Sequence, residues 1–217
     1  MTGEIIDLGR INYKDAWDLQ RQLMEQRSRD QIPNTLLLLE HDHVITLGRK
    51  TSPENFRPQN VPVYQVERGG DATYHGPGQL VGYPIVRLED HDVRKHVNRI
   101  EATLVNTLRK FGIEGELVPS HPGVWVGKRK IASIGVAVTN WVAYHGFALN
   151  VNTDLGYFEL IRPCGLDPST MTSMQRVLGR EAEMSEVKET ISAEFAAACQ
   201  EAFLPGKLRA QSRLTVK

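Results

Sequence analysis

The stretch RGGDATYHGPGQL at 68–80 limits the fold most, because it sets four glycines and a proline within thirteen residues, between two apolar runs. Such a segment has too much broken backbone for a helix and too few apolar side chains for a core strand. Its glycines let a ligand approach the main chain closely, and successive N–H groups in such a turn can hold a carbonyl oxygen or an anion. The segment is either a surface hairpin loop or the wall of a cleft. The gathering of Arg68, Tyr74, His75 and Gln79 within it favours the cleft. Its spacing matches neither GxxxxGK[ST] nor GxGxxG, so it is not read as a nucleotide site.

On either side, strand and helix patterns interleave irregularly. Residues 12–30 read as an amphipathic helix capped by Asn12, with Tyr13, Ala16, Trp17, Leu23 and Met24 at helical spacing. An apolar run at 35–49 reads as a strand, and further strands enter and leave the glycine-rich segment at 63–70 and 80–88. A second helix spans 91–112, with Gly112 placed to end it. Three short strands form a meander over 123–152, and a late helix over 185–203 takes Ser185 as its cap. Clustered strands with irregular connections predict an α+β fold with a mixed β-sheet flanked by helices.

The length of 217 residues suits one catalytic domain, 1–217, with a polar, basic tail expected to run loose from about 205. The 26 basic and 26 acidic side chains cancel, which argues against a nucleic-acid binder that works through a global positive field. No stretch approaches the roughly 20 apolar residues of a membrane helix. The start, MTGEIIDLGRINYKD, lacks the apolar core of a signal peptide, so a cytoplasmic protein with no membrane partner is expected. In that reducing setting Cys164 and Cys199 are not expected to form a disulfide.

Cys199 lies within a helical pattern and reads as packing. Cys164, in RPCGL between Pro163 and Gly165, lies outside any periodic pattern and either fills a turn or acts as a nucleophile. A nucleophilic thiol near pKa ~8.5 needs a partner that takes its proton or steadies the anion. Lys130 opens the apolar strand IASIGVAV, unlike its turn neighbours Lys128 and Arg129. A lysine at the mouth of a buried strand is either desolvated enough to serve as a base or simply solvated and structural. His41, His43, His75 and His145 show no paired spacing on a helix, and no HExxH or CxxC occurs, so no metal is expected. No GxSxG elbow supports a serine hydrolase.

Taken in order, RGGDATYHGPGQLVGYPI, GKRKIASIGVAV, HGFALNVN and RPCGLDPSTMTSM closely resemble the lipoyl(octanoyl) transferases over about residues 30–180. The resemblance implies the fold of the biotin and lipoate protein ligases and no cofactor. It implies transfer of an octanoyl group from octanoyl-acyl carrier protein to a lysine of a lipoyl domain. The target proteins would be 2-oxoacid dehydrogenase E2 subunits and the glycine cleavage H protein. The family's acyl-bearing cysteine matches Cys164 and its activating lysine matches Lys130. Its substrate-binding segments match Arg68, Gly69, Gly70, Asp71, Ala72, Thr73, Tyr74 and His75, then Ser133, Ile134 and Gly135, then Gly146, Phe147 and Ala148. Leu47, Ile134, Val136, Phe147 and Leu149 are candidates to line an acyl tunnel. Arg49, Lys50, Lys128 and Arg129 are candidate rim contacts for acidic partners, and a monomer is expected. The competing functions are an ATP-dependent lipoate or biotin ligase on the same fold and a non-catalytic carrier-binding module.

Overall fold

A computed structural model of the protein describes residues 2–52, 60–119, 121–161 and 168–208. In chain order the elements are β1 (Gly3–Ile11), α1 (Tyr13–Ser28), β2 (Thr35–His41), β3 (Val44–Leu47), β4 (Val63–Gln65), β5 (Thr73–His75), β6 (Gln79–Arg87), α2 (Val93–Lys110), β7 (Glu116–Val118), β8 (His121–Val126), β9 (Arg129–Thr139), β10 (Val142–Asn150), α3 (Met174–Leu178), α4 (Met184–Cys199) and β11 (Phe203–Pro205). An eight-stranded sheet runs in the order β11-β1-β2-β6-β10-β9-β8-β7, beside a three-stranded sheet β4-β3-β5. Strand β1 pairs in parallel with β2 and β11, and the other pairings of the large sheet are antiparallel. This is the mixed sheet with flanking helices expected from the sequence.

The run LLLL at 36–39 shows how the layers form. Strand geometry sends alternate side chains to opposite faces. Leu36 and Leu38 join a core that includes Ile100 and Leu104 of α2 and Val187, Ile191 and Phe195 of α4. Leu37 and Leu39 join a second core with Ala16, Leu19, Leu23 and Met24 of α1. Both faces are therefore apolar and covered, and each buried leucine stabilises the fold by about 1.5–3 kcal/mol. Among the described residues no helix is long and apolar enough to cross a membrane.

Asn12 caps α1 as expected, its Oδ1 accepting from the Lys14 N–H at 2.9 Å. The single strand expected over 35–49 is two, β2 and β3, because the chain bends at Asp42 and His43 and passes from the large sheet to the small one. Ser185 does not cap α4. That helix begins one residue earlier, after Glu183, and the Ser185 hydroxyl donates to Glu183 Oε1 at 3.1 Å. At the start of the expected tail, β11 lies along β1 and the Gly206 N–H reaches the Ile5 carbonyl at 2.7 Å.

One buried group in α2 couples this fold to pH. His96 is 1% exposed, and neither ring nitrogen has a partner among the described residues. Burial, with Arg99 nearby, pushes its pKa down to about 4. The unfolded chain therefore binds the extra proton between about pH 6.5 and 4, and stability is lost as pH falls through that window, by on the order of 3 kcal/mol. His96→Leu removes this contribution. Urea unfolding should show the variant gaining on the parent steadily from pH 6.5 to 4.5, and parallel curves would refute the assignment.

Candidate functional site

Strand β8 covers β9 only at Arg129, Lys130 and Ala132, so the outer edge of β9 beyond Ala132 is left uncovered by β8. The glycine-rich segment fills part of this gap, with the Gly69 N–H donating to the Val136 carbonyl at 2.9 Å. A cavity of about 550 Å³ opens along the edge, within the roughly 300–1,000 Å³ of small-molecule sites. Val97, Ile134, Val136 and Phe147 supply apolar wall, while His75, His121, Lys130 and His145 bring polar groups to the same space.

Most of the sequence-derived site residues meet here. Arg68, Gly69, Gly70, Asp71, Ala72, Thr73 and His75 line the cavity, as do Lys130, Ser133, Ile134, Gly135, Gly146, Phe147 and Ala148. Tyr74 does not. It alternates with Thr73 and His75 on β5, so its fully buried ring turns the other way and stacks on Tyr157 at 5.1 Å. Of the acyl-tunnel candidates, Ile134, Val136 and Phe147 line the cavity, while Leu47 and Leu149 are buried in the adjoining cores and do not reach its surface. Cys164 lies outside the described residues. Lys50 reaches the cavity lining, and Arg49, Lys128 and Arg129 are exposed on the surface.

Arg68 holds the loop in place. Its guanidinium donates to the carbonyl oxygens of Gly69, Asp71 and Thr46 and to the Thr46 hydroxyl, at 2.8–3.1 Å. The carbonyls of Arg68 and Gly70 accept from the N–H groups of Arg49 and Lys50. Arg68 thus works as an internal clamp that rigidifies the cavity wall.

Lys130 is 4% exposed, beside exposed Lys128 and Arg129, so of the two readings its strand position left open the structure has the buried one. Its ammonium lies 5.8 Å from the Trp125 ring centroid. Gly123 makes room for its stem: φ is +125° there, and a Cβ would stand 2.6 Å from Lys130 Cε. The Lys130 carbonyl accepts the Thr172 N–H at 2.9 Å, and Lys130 forms a parallel bridge with Met171.

His145 was visible in the sequence only as a possible metal ligand, and its place in the cavity was not. By strand alternation it belongs with Ala143 and Phe147, on the α2 side. Instead its φ is +55°, and its ring packs against Tyr144 and Tyr83 of the opposite face. The β10–β6 ladder is interrupted there, between the pairs Ala143–Val86 and Phe147–Gly82, where Pro84 has no N–H to give. Gln20 of α1 accepts the His145 N–H at 2.9 Å. Such a conformation costs on the order of 1–3 kcal/mol and re-aims the side chain into the site. Its Nε2 lies 3.8 Å from Glu67 Oε2, too far for a hydrogen bond.

Burial keeps the surrounding rings neutral. His75 and His145 are pushed below the usual imidazole range, and the Tyr83 hydroxyl above the usual phenol range. The Glu67 carboxyl, lying beside His145 and accepting from the Tyr144 hydroxyl at 3.1 Å, is held well down, to about 2. Tyr13 and Tyr83, which also line the cavity, are ordinary core aromatics of α1 and β6 in sequence, with no spacing that marks them. Among the described residues no group of His, Cys, Asp and Glu gathers to hold a metal ion.

Residues 12–196 match the family described as the lipoyl protein ligase A/B catalytic domain. The chain is 47% identical over 197 residues to an octanoyltransferase of Syntrophobacter fumaroxidans, covering 87% of this chain and 86% of that one. It is 48% identical to an octanoyltransferase of Solibacter usitatus, covering 92% and 94%. The fold is similar to that of lipoate-protein ligase A bound with ATP, with a TM-score of 0.84, 17% identity, and coverage of 98% and 91%. A biotin protein ligase of Aquifex aeolicus has a TM-score of 0.55 at 13% identity, covering 92% of this chain and 70% of that one. The ligase structures share only the architecture at such identities. The close sequence relatives carry the assignment, and the chain belongs to the lipoyl protein ligase A/B catalytic domain family and, within it, to the octanoyltransferases.

Proposed function

We propose that this protein transfers an octanoyl group from octanoyl-acyl carrier protein to a lysine of a lipoyl domain, through a thioester on Cys164. The observation that carries the proposal is one cavity joining the buried Lys130 to an apolar wall, in a chain 47% identical to an octanoyltransferase. The cavity suits an acyl chain. Each buried methylene is worth about 0.8 kcal/mol, so seven carbons beyond the carbonyl contribute roughly 5 kcal/mol. Lys130 is also tied through its main chain to Met171 and Thr172, which follow the Cys164 segment in sequence.

In this scheme Lys130 accepts the Cys164 thiol proton, and the thiolate attacks the carrier thioester. The carrier's thiol leaves with a proton returned by Lys130. The lysine amine of the lipoyl domain then attacks the Cys164 thioester, the amide forms, and the proton it sheds restores the thiol. Thioester exchange is nearly isoenergetic and amide formation runs downhill, so no nucleotide is consumed. The acceptors are the 2-oxoacid dehydrogenase E2 lipoyl domains and the glycine cleavage H protein, and the enzyme works as a cytoplasmic, single-domain monomer.

Phe147 closes part of the acyl wall. Its ring tip stands over Gly82, where a Cβ would come within 2.1 Å of Cζ. No side chain at 82 competes for that space.

Five measurements test the proposal. Intact-mass analysis after exposure to octanoyl-carrier should find one octanoyl adduct, mapping to Cys164 and absent from Cys164→Ala. Transfer should proceed without ATP and release no AMP from ATP and free octanoate, whereas AMP release would point to a ligase. Lys130→Met should slow acyl loading by roughly 100-fold or more, the usual worth of a positioned base. Phe147→Ala opens the wall, so its rate with dodecanoyl substrate should rise relative to octanoyl, and an unchanged ratio would remove Phe147 from the acyl site. Finally, added salt should slow transfer from the carrier protein more than from a small octanoyl thioester, through screening of rim residues such as Lys50.

A further inference from the structure

A chain of buried amides determines where His75 keeps its proton. It starts at a main-chain carbonyl, which can only accept: Asn150 Nδ2 donates to the Thr172 oxygen at 3.0 Å. That contact orients the Asn150 amide, and its Oδ1 accepts from Gln79 Nε2 at 2.9 Å. Gln79 Nε2 also donates to the Tyr74 carbonyl at 3.1 Å, a second contact that only the nitrogen end of the amide can make. Gln79 Oε1 is thereby turned to His75 Nδ1 at 2.8 Å. An amide oxygen accepts only, so Nδ1 carries the proton and Nε2 the lone pair.

The rest of the surroundings agree. Gln79 and Asn150 are each 1% exposed, so water does not compete for these contacts. Tyr13 stacks on the His75 ring with centroids 6.0 Å apart. His41 stands edge-on at 5.7 Å, with its own nitrogens occupied: Nδ1 donates to the Ile11 carbonyl and Nε2 accepts from the Tyr83 hydroxyl. Burial first, then neighbouring His41, holds His75 in the neutral form.

We propose that Gln79 and Asn150 are positioning residues that hold His75 as the Nδ1–H tautomer, so that Nε2 accepts a hydrogen bond from the amine of the incoming acyl acceptor. The identity of that amine rests on the octanoyl-transfer proposal. The alternative role, donation to the acyl carbonyl, requires a proton on Nε2, which this tautomer lacks. Oxyanion stabilisation then falls to other donors. Accepting from one amine N–H turns the nitrogen lone pair toward the thioester carbon. No bond is made to His75, and the proton released on amide formation goes to the leaving sulfur by way of Lys130.

The tautomer is read directly, without an activity assay. In histidine-labelled protein, nitrogen–carbon correlation spectra with His75→Gln as the assignment control should show a protonated Nδ1 and an unprotonated Nε2. Protonation at Nε2 in the parent would overturn the proposal whatever the enzyme's activity. Gln79→Leu should mix the two tautomers and slow attack of the lipoyl-domain lysine on the acyl-enzyme roughly tenfold, while acyl loading changes by about threefold at most. Asn150→Leu, which takes away the side-chain acceptor of Gln79 Nε2, should act in the same direction. His75→Gln, with an amide oxygen near the Nε2 position, should retain more deacylation than His75→Phe. Equal deacylation in these two variants, or equal slowing of both half-reactions by Gln79→Leu, would refute the assigned role. Absence of an acyl-enzyme in the parent would instead refute the thioester scheme and leave the tautomer result intact.

Discussion

Strand β10 lies hydrogen-bonded between β6 and β9 with all nine of its residues buried, and the site hangs from it. Phe147 faces the α2 side and Ala148 the α1 side, so one strand contributes to the cavity from both faces of the sheet. Its neighbour β9 brings Lys130 and the edge from Ser133 to Val136, and its neighbour β6 brings Tyr83. A buried central strand cannot shift register without turning its apolar set to the wrong face. The cavity inherits that rigidity.

Two departures from regular strand geometry make room for function. The free edge of β9 is where the glycine-rich segment docks, held by Gly69 to Val136 and by the Arg68 guanidinium. The left-handed turn at His145 moves an imidazole from one face of the sheet to the other, beside Pro84, which interrupts the ladder. In each case a backbone N–H finds a partner outside the ladder, Gly69 at the Val136 carbonyl and His145 at the Gln20 side chain.

The likeness to ATP-bound lipoate-protein ligase A, with a TM-score of 0.84, sits beside sequence kinship to octanoyltransferases. Fold alone does not decide between an acyl-adenylate and an acyl-thioester route, since one scaffold hosts several chemistries. The kinship that separates this chain from the ligases lies in its sequence, 47% identical to an octanoyltransferase against 17% to the ligase.

Much of this was legible in the chain itself. The apolar period of 35–49 and 80–88, the helical faces of 12–30 and 91–112, and the glycine-rich segment between strands are local signals, set by side-chain alternation and turn chemistry. The sequence left Lys130 open between a desolvated and a solvated side chain and put Arg129 in the turn, whereas β9 begins at Arg129 and alternation buries Lys130 while leaving Arg129 exposed. The turn of Tyr74 away from the cavity follows from the β5 alternation, but only once β5 was known to pair with β3. Tertiary structure alone decided the rest. Strand β9 exposes an edge because β8 is short, His145 reverses its face because Pro84 lies on the neighbouring strand, and Gln79 meets Asn150 across 71 residues of chain. None of these leaves a period in the sequence, because each arises where two distant segments share one donor, one acceptor or one missing hydrogen bond.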